Sequence, residues 1–342
     1  MSVYVRAIIV INHRINAMLL SFLCICSEKD TVTAMFWHPS SNTLFLGTNS
    51  GKVRCCKVDA LSDNLLEVTF EVRPHKDRVT AIVYSTSLNR IVSISRDKHL
   101  ALIEIGNYLF ITQKVASHWL VDMACDDSNQ LVFVATIAQD IICLTLQTAA
   151  SSTGEEGGDK AVEVKRWKCG GHGSIRRLAH HPSSQQHAYA LYACTWSGAV
   201  IPIAVHVTPP SPSASANAPS PPSPPTITLE IENPLRDAKQ HGKSRTCAWL
   251  NGMGQLATGG DDGMIRLWNV NSSRIEQIVR HSSTKLAVLE PFSYVCAVSN
   301  PESGDVEERG FQGFCSGGKE GKLCIWHAGS SAGGGGWEET IV

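Results

Sequence analysis

The segment from Thr258 to Val270, TGGDDGMIRLWNV, sets the tightest limit on how this chain can fold. Its Gly-Gly-Asp-Asp-Gly core combines backbone freedom with short polar side chains, the chemistry of a tight turn. The runs on either side read as strands, and the second closes on Trp268-Asn269. A hairpin of this size cannot bury both faces of its own small sheet, so it needs neighbours of the same kind.

Such neighbours exist along the chain. FCSGGKEGKLCIWHA (Phe314 to Ala328) repeats the pattern, with Glu320 at the place of Asp262 and Trp326-His327 at the place of Trp268-Asn269. SISRDKHLALIEI (Ser93 to Ile105) keeps the turn acid as Asp97 and has Ile103 at the Trp place. FLGTNSGKVRCCKV, VATIAQDIICLTL and ACTWSGAVIPIAV fit more loosely. A second element recurs upstream, where AMFWHPSSN and RLAHHPSSQ both end an apolar strand in His-Pro-Ser-Ser. Six units emerge, starting near Thr31, Arg78, Ser117, Gly173, Ser244 and Ser293. Spacings such as 78 − 31 = 47 and 117 − 78 = 39 bracket the roughly 40–45 residues of a four-stranded repeat.

These segments resemble the repeats of the WD-repeat family. The resemblance implies an all-β β-propeller with six recognisable four-stranded blades and an incomplete N-terminal blade, seven-bladed in kind. Residues 1–30 would be the degenerate blade and residues 31–342 the propeller. In the family a buried network joins a His, a Ser or Thr, the turn Asp and the Trp. By position it maps to His241, Thr258, Asp262 and Trp268, in part to His75, Ser93 and Asp97, and in part to His281, Ser316 and Trp326. These residues look like a Ser-His-Asp catalytic set, but a set repeated blade by blade is structural.

The resemblance also implies where partners bind. The residue before the turn Asp faces one rim of the propeller, giving Asn49, Arg96, Ala138, Trp196, Asp261 and Lys319. Loops before the inner strands add Lys76, Arg78, Trp119, Arg176, Lys243 and Arg245. Trp196 and Arg96 are the expected anchors, because Trp and Arg dominate interface energetics.

Lys and Arg total 30 against 31 Asp and Glu, so no global basic field draws the chain to nucleic acid or an anionic membrane. Membrane association, if it occurs, would be indirect. Twelve cysteines lie scattered through apolar runs without a CxxC pair. That distribution suits buried free thiols in a reducing compartment, the cytoplasm or nucleus, rather than zinc or disulfides. Residues 17–26 form a short apolar run preceded by Arg6 and Arg14. It reads either as a strand of the degenerate blade or as the core of a signal peptide. His13, Arg14 and Asn16 interrupt the apolar region and favour the strand.

Thr208 to Pro225 holds eight prolines and reads as a disordered loop between the third and fourth strands of one blade, with PxxP spacings. Ser151 to Lys160 and Glu302 to Arg309 read as exposed acidic loops, and Gly333 to Gly336 as a hinge before an outer strand. His172, His180, His181 and His187 match no metal-ligand spacing. No phosphate loop, nucleophile elbow or cofactor motif is present.

Within the family, PHKDRVTAIVY (Pro74 to Tyr84) is most similar to WD-repeat proteins that carry a FYVE zinc finger, but the finger's paired cysteines are missing. The expected function is a non-catalytic scaffold that binds other proteins or peptides through the rim. The alternatives are a substrate receptor of a ubiquitin ligase and an endosomal adaptor related to the FYVE-bearing proteins. The first lacks its Trp-Asp-x-Arg box in Trp268-Asn269-Val270-Asn271 and Trp326-His327-Ala328-Gly329.

Overall fold

In the computed structural model, residues 30–38, 41–58, 66–147, 160–185, 188–208, 226–235, 242–250, 254–281, 286–299, 306–318, 323–328 and 337–341 are described. They form six four-stranded antiparallel sheets. Sheet I is β1 (Val32–His38), β2 (Thr43–Thr48), β3 (Val53–Val58) and β4 (Leu66–Val72). Sheet II is β5 (Val79–Ser85), β6 (Arg90–Ser95), β7 (His99–Glu104) and β8 (Phe110–Lys114). Sheet III is β9 (Leu120–Asp126), β10 (Leu131–Thr136), β11 (Asp140–Gln147) and β12 (Lys160–Lys168). Sheet IV is β13 (Ile175–Gln185), β14 (Ala188–Thr195), β15 (Val200–Thr208) and β16 (Thr226–Ile231). Sheet V is β17 (Ser244–Leu250), β18 (Gln255–Gly260), β19 (Met264–Asn269) and β20 (Arg274–Arg280). Sheet VI is β21 (Leu286–Ser299), β22 (Val306–Gly318), β23 (Leu323–Ala328) and β24 (Trp337–Ile341).

Each sheet is a meander, so neighbours in sequence pair in space. The sequence explains which strands lie deepest. Every residue of β10, LVFVAT, is buried, whereas β8 and β20 are exposed or half-exposed throughout. An apolar run without alternation can be covered on both faces, and a mixed run such as RIEQIVR cannot.

Consecutive sheets then pack face to face. Phe45 and Cys55 of sheet I meet Ile82 and Ile91 of sheet II, and Val92 and Leu102 of sheet II meet Val132 and Ile142 of sheet III. Phe133 and Ile141 join Leu191 and Ile201 across sheets III and IV. Tyr192 and Cys194 join Trp249 and Trp268 across IV and V, and Leu250 and Leu267 meet Trp326 of sheet VI. Each sheet thereby supplies one face to each neighbour, which a single four-stranded sheet cannot achieve alone.

Polar groups fix the same junctions. Asp122 of β9, almost wholly buried, accepts a bond from the Leu178 amide at 2.8 Å and from Arg177 Nη1 at 2.9 Å, both on β13. Asp127 accepts from the Thr86 and Ser87 amides at 3.1 and 3.0 Å, and from the hydroxyl of Ser85.

Two expectations change. The last unit begins at Leu286 rather than near Ser293, because β21 pairs with β22 from Leu286↔Gly318 onward. The acidic stretch expected as a loop up to Arg309 is a strand from Val306, paired with Ser299 and its predecessors. Backbone pairing there overrides the polar composition. The Pro-rich segment joins β15 to β16, third and fourth strands of sheet IV, whose ends pair at Thr208↔Thr226. The segment itself, residues 1–29, most of the Ser151–Lys160 stretch, His187 and the Gly333–Gly336 hinge lie outside the described residues.

Candidate functional site: a tryptophan and arginine rim

Five sheets share one backbone bond at the end of the second strand. The amides of Asn49, Arg96, Ile137, Trp196 and Asp261 donate to the carbonyls of Thr31, Arg78, Trp119, Ser174 and Lys243 at 2.8–3.1 Å. Two residues on, each turn enters the left-handed region, at Gly51, Lys98, Gln139, Gly198 and Gly263. The repetition fixes the alignment of the turns and corrects one position. The third-sheet counterpart of Arg96 is Ile137, not Ala138, because Gln139 takes the left-handed place that Gly51 and Gly263 take elsewhere. Gln carries no turn signal, so residue type does not mark that register.

The bond also shows that the turns after the second strands and the loops before the inner strands share one rim. The expected residues Asn49, Arg78, Arg96, Trp119, Trp196, Arg245 and Asp261 all lie on it. Lys319 is outside the described residues.

A bulge re-aims side chains at this rim. Near its start each inner strand inserts one extra residue against the second strand, leaving Thr33, Thr80, Val121, Arg176, Arg245 and Ala287 without a register partner. Such bulges turn a side chain out of the ladder. Sheets IV and V, which are adjacent, are the ones that place arginine there.

Those arginines converge on Trp196. The guanidinium carbons of Arg176 and Arg245 lie 4.3 and 4.4 Å from the centroid of its ring, and Lys243 Nζ lies at 5.3 Å. Arg245 is gripped by Asp261 through both its forks, Nε to Oδ1 and Nη2 to Oδ2, the latter at 3.1 Å. Arg96 stacks on Trp119 at 5.2 Å, and that indole is 46% exposed. Burial, with the like charges of Arg245 and Arg96, pulls the Arg176 guanidinium below its ordinary value, and Asp261 opposes the pull. Sequence reasoning had placed Arg176 and Lys243 among loop cations. Nothing in the local sequence shows that the bulges bring Arg176 and Arg245, with Lys243 beside them, onto the Trp196 ring.

Of the residues expected in buried networks, His75, Ser93, Thr258, Trp268, His281, Ser316 and Trp326 are buried and Asp97 is half-buried, but Asp262 is exposed. His75 Nε2 is 2.8 Å from Ser93 Oγ, and His75 Nδ1 lies 3.4 Å from Asp97 Oδ2. Asp97 also accepts from the amides of Lys76 and His99 at 2.8 and 3.0 Å. Burial opposes its charge, but the His75 bond and the two amide bonds prevail and hold its carboxyl well below the usual carboxylate range. Trp268 Nε1 donates to Thr258 Oγ1 at 2.9 Å. In sheet VI, Trp326 Nε1 donates to Ser316 Oγ at 2.7 Å, and that hydroxyl is 2.8 Å from His281 Nδ1. Asp262 sits on the exposed turn, its Oδ2 2.7 Å from Arg266 Nη1, and His241 is outside the described residues.

One of the four histidines considered as ligands turns its ring to another group. His181 packs edge-on against Trp249 at 4.0 Å, while His172 is touched through its backbone, its carbonyl accepting the Ser197 hydroxyl at 2.5 Å. Burial lowers both His180 and His181. Among the described residues no group of three or more His, Cys, Asp or Glu is placed to hold a metal ion.

Repeated four-stranded sheets, a shared rim and, in sheets V and VI, a buried indole bonded to a Thr or Ser hydroxyl define a WD-type propeller fold. The family model of the WD domain, G-beta repeat, matches residues 232–269, which span the first three strands of the fifth sheet and the residues before them. The structure is similar to that of the RRP9 WD40 repeats, with a TM-score of 0.60 and 10% identity over 89% of this chain and 78% of that one. No curated protein sequence matches the chain. In all, 1342 solved chains share the architecture, so the fold alone selects no partner. The chain therefore carries a WD40 repeat within a WD40-type propeller fold.

Proposed function

We propose that this protein is a non-catalytic scaffold that binds other proteins or peptides through the rim bearing Arg96, Trp119, Trp196, Asp261, Arg245, Asn49 and Arg78, to which the sequence repeat alone adds Lys319. The observation that carries the reading is the gathering of two indoles and four cations on one face of a nearly neutral chain. Aromatic and Arg side chains held by their neighbours are what anchor interfaces, since little entropy remains to be lost on binding. WD40 propellers generally serve as protein-interaction platforms, which agrees. The missing Trp-Asp-x-Arg box counts against a ligase receptor, and the missing finger against an endosomal adaptor of the FYVE type.

Affinity purification with mass spectrometry tests the reading. Wild type should recover partners that a Trp196→Ala/Arg96→Ala double variant loses while keeping its melting temperature. An unchanged set of partners would refute it.

Two further points belong to this reading. The series of packed faces starts at sheet I and ends at sheet VI, and residues 1–29 precede sheet I. We assign them to an incomplete blade of a seven-bladed ring, so deleting residues 1–29 should lower thermal stability. An unchanged melt counts against that assignment. The free cysteines support a reducing compartment, and we place the protein in the cytoplasm or nucleus. Fractionation with secreted material would count against that placement.

A further inference from the structure

Sheets IV and V place arginine at the same bulge and satisfy it differently. Arg245 is paired by Asp261, the residue that follows β18. The residue at that place in sheet IV is Trp196, which follows β14. Arg176 thus meets an indole where Arg245 meets a carboxylate. Its Nε is buried and, among the described residues, has no hydrogen-bond partner. Asp261 is the nearby acid, and both its oxygens are engaged by Arg245.

We propose that Arg176 is the subsite for a carboxylate supplied by a partner, an Asp or Glu side chain of an acidic peptide lying along the rim between Trp196 and Trp119. Arg96 and Lys243 flank that position and add attraction for an anion. The inference rests on the rim-scaffold reading and specifies the chemistry of the partner.

The physical argument has three parts. A guanidinium's planar fork matches a carboxylate's two oxygens, and Asp261 on Arg245 already displays that geometry in this rim. A cation shielded by an indole gains more from an incoming anion than one surrounded by water, because its hydration has already been partly given up. The Trp196 ring already carries three cations within 5.3 Å, which argues against a lysine or methyl-lysine ligand there. The balanced total charge lacks the extended field that a nucleic-acid backbone would use.

The test uses the full chain and fluorescence anisotropy. Four labelled probes of similar length are compared: a Glu/Asp-rich peptide, its Gln/Asn counterpart, a phosphoserine peptide and single-stranded RNA. The acidic peptide should bind best, with affinity falling as salt rises. Arg176→Gln should weaken it by about tenfold or more while leaving the melting temperature unchanged. If that variant does not fold, the wild type alone decides, because the Gln/Asn peptide must then bind about tenfold more weakly or worse. Equal binding of the acidic and amide peptides, an unaffected Arg176→Gln, or preference for the phosphopeptide or RNA overturns the proposal. If partners are still lost from Trp196→Ala/Arg96→Ala in that event, the scaffold reading stands and only the carboxylate assignment fails.

Discussion

At the scale of single residues, the hydroxyl of Thr258 on β18 or Ser316 on β22, with the indole ten residues further on, decides how a sheet is pinned. Trp268 and Trp326 are fully buried and donate to Thr258 and Ser316. At the same places sheets I, III and IV have Leu46 with Cys56, Val134 with Leu144 and Ala193 with Ile203, all buried. Hydroxyl and indole are thus replaced together by apolar groups, which leaves no orphaned donor. Trp268→Phe removes the donor but keeps most of the bulk, and should cost about 1–3 kcal/mol. Trp268→Ala should cost about 3–5 kcal/mol by opening a cavity, both read from denaturant unfolding.

Asp97 makes a pH prediction at the same scale. Its folded-state carboxyl titrates lower than its unfolded one. The stability it contributes is therefore fully present above the unfolded value of about 4. It is lost as pH falls through that value towards the folded one. Asp97→Asn should flatten the acid limb of a stability-against-pH curve below about pH 4, and an unchanged slope would count against this role. The carboxylate's neighbours are His75, within a hydrogen bond of Ser93, and His99.

At the scale of elements, turns and inter-sheet clamps matter more than strand propensity. Gly51 sits at φ +87°, and a Cβ added there would lie 2.3 Å from the His75 carbonyl oxygen. Both the left-handed backbone and the close approach oppose a side chain, so Gly51→Ala should destabilise by about 1–3 kcal/mol or more. Lys98 and Gln139 occupy the same turn position at φ 76° and 69°. Replacing either by Gly should be neutral or mildly stabilising, since it relieves the left-handed strain.

Asp122 provides the contrasting element-scale case. It joins sheet III to sheet IV from a buried position, and Asp122→Ala would remove the acceptor of the Leu178 amide and of Arg177 Nη1. A loss of about 3–5 kcal/mol is expected from thermal or urea unfolding. A loss below about 1 kcal/mol would show that the clamp is dispensable.

At the scale of the molecule, the core is a series of interfaces between sheets, and its thiols are part of that packing. Burial pushes Cys56, Cys125 and Cys143 up to about 12, and Cys169 to about 11. Thiols held so far from their thiolate form are poor nucleophiles. In the native state these thiols should react with a thiol reagent only at the rate of opening or unfolding, and reductant should leave the melting temperature unchanged. Rapid labelling of Cys56 or Cys143 in native buffer would contradict the packing.

How far the sequence reached differs between fold and site. The repeat was legible because turn chemistry recurs: Gly51, Gly198 and Gly263 mark the left-handed position by residue type. Where Lys98 and Gln139 hold the same conformation, composition gives no mark, and the third sheet was read one residue out of register. The last sheet began earlier than its composition suggested because pairing between β21 and β22 extends through polar residues.

The sequence by itself determined the all-β repeat and the thiols set in apolar runs, because periodicity and turn residues are local properties of the chain; its rim residues rested on the family resemblance. Only the tertiary structure decided which of those residues meet. Arg176 and Arg245 are 69 residues apart (245 − 176), and both reach Trp196 because adjacent sheets bulge at the same place. It likewise decided that Asp261 satisfies Arg245 and leaves Arg176 beside an indole. That difference depends on the register of two strand pairs and on how two sheets pack, and no local pattern in the chain encodes it.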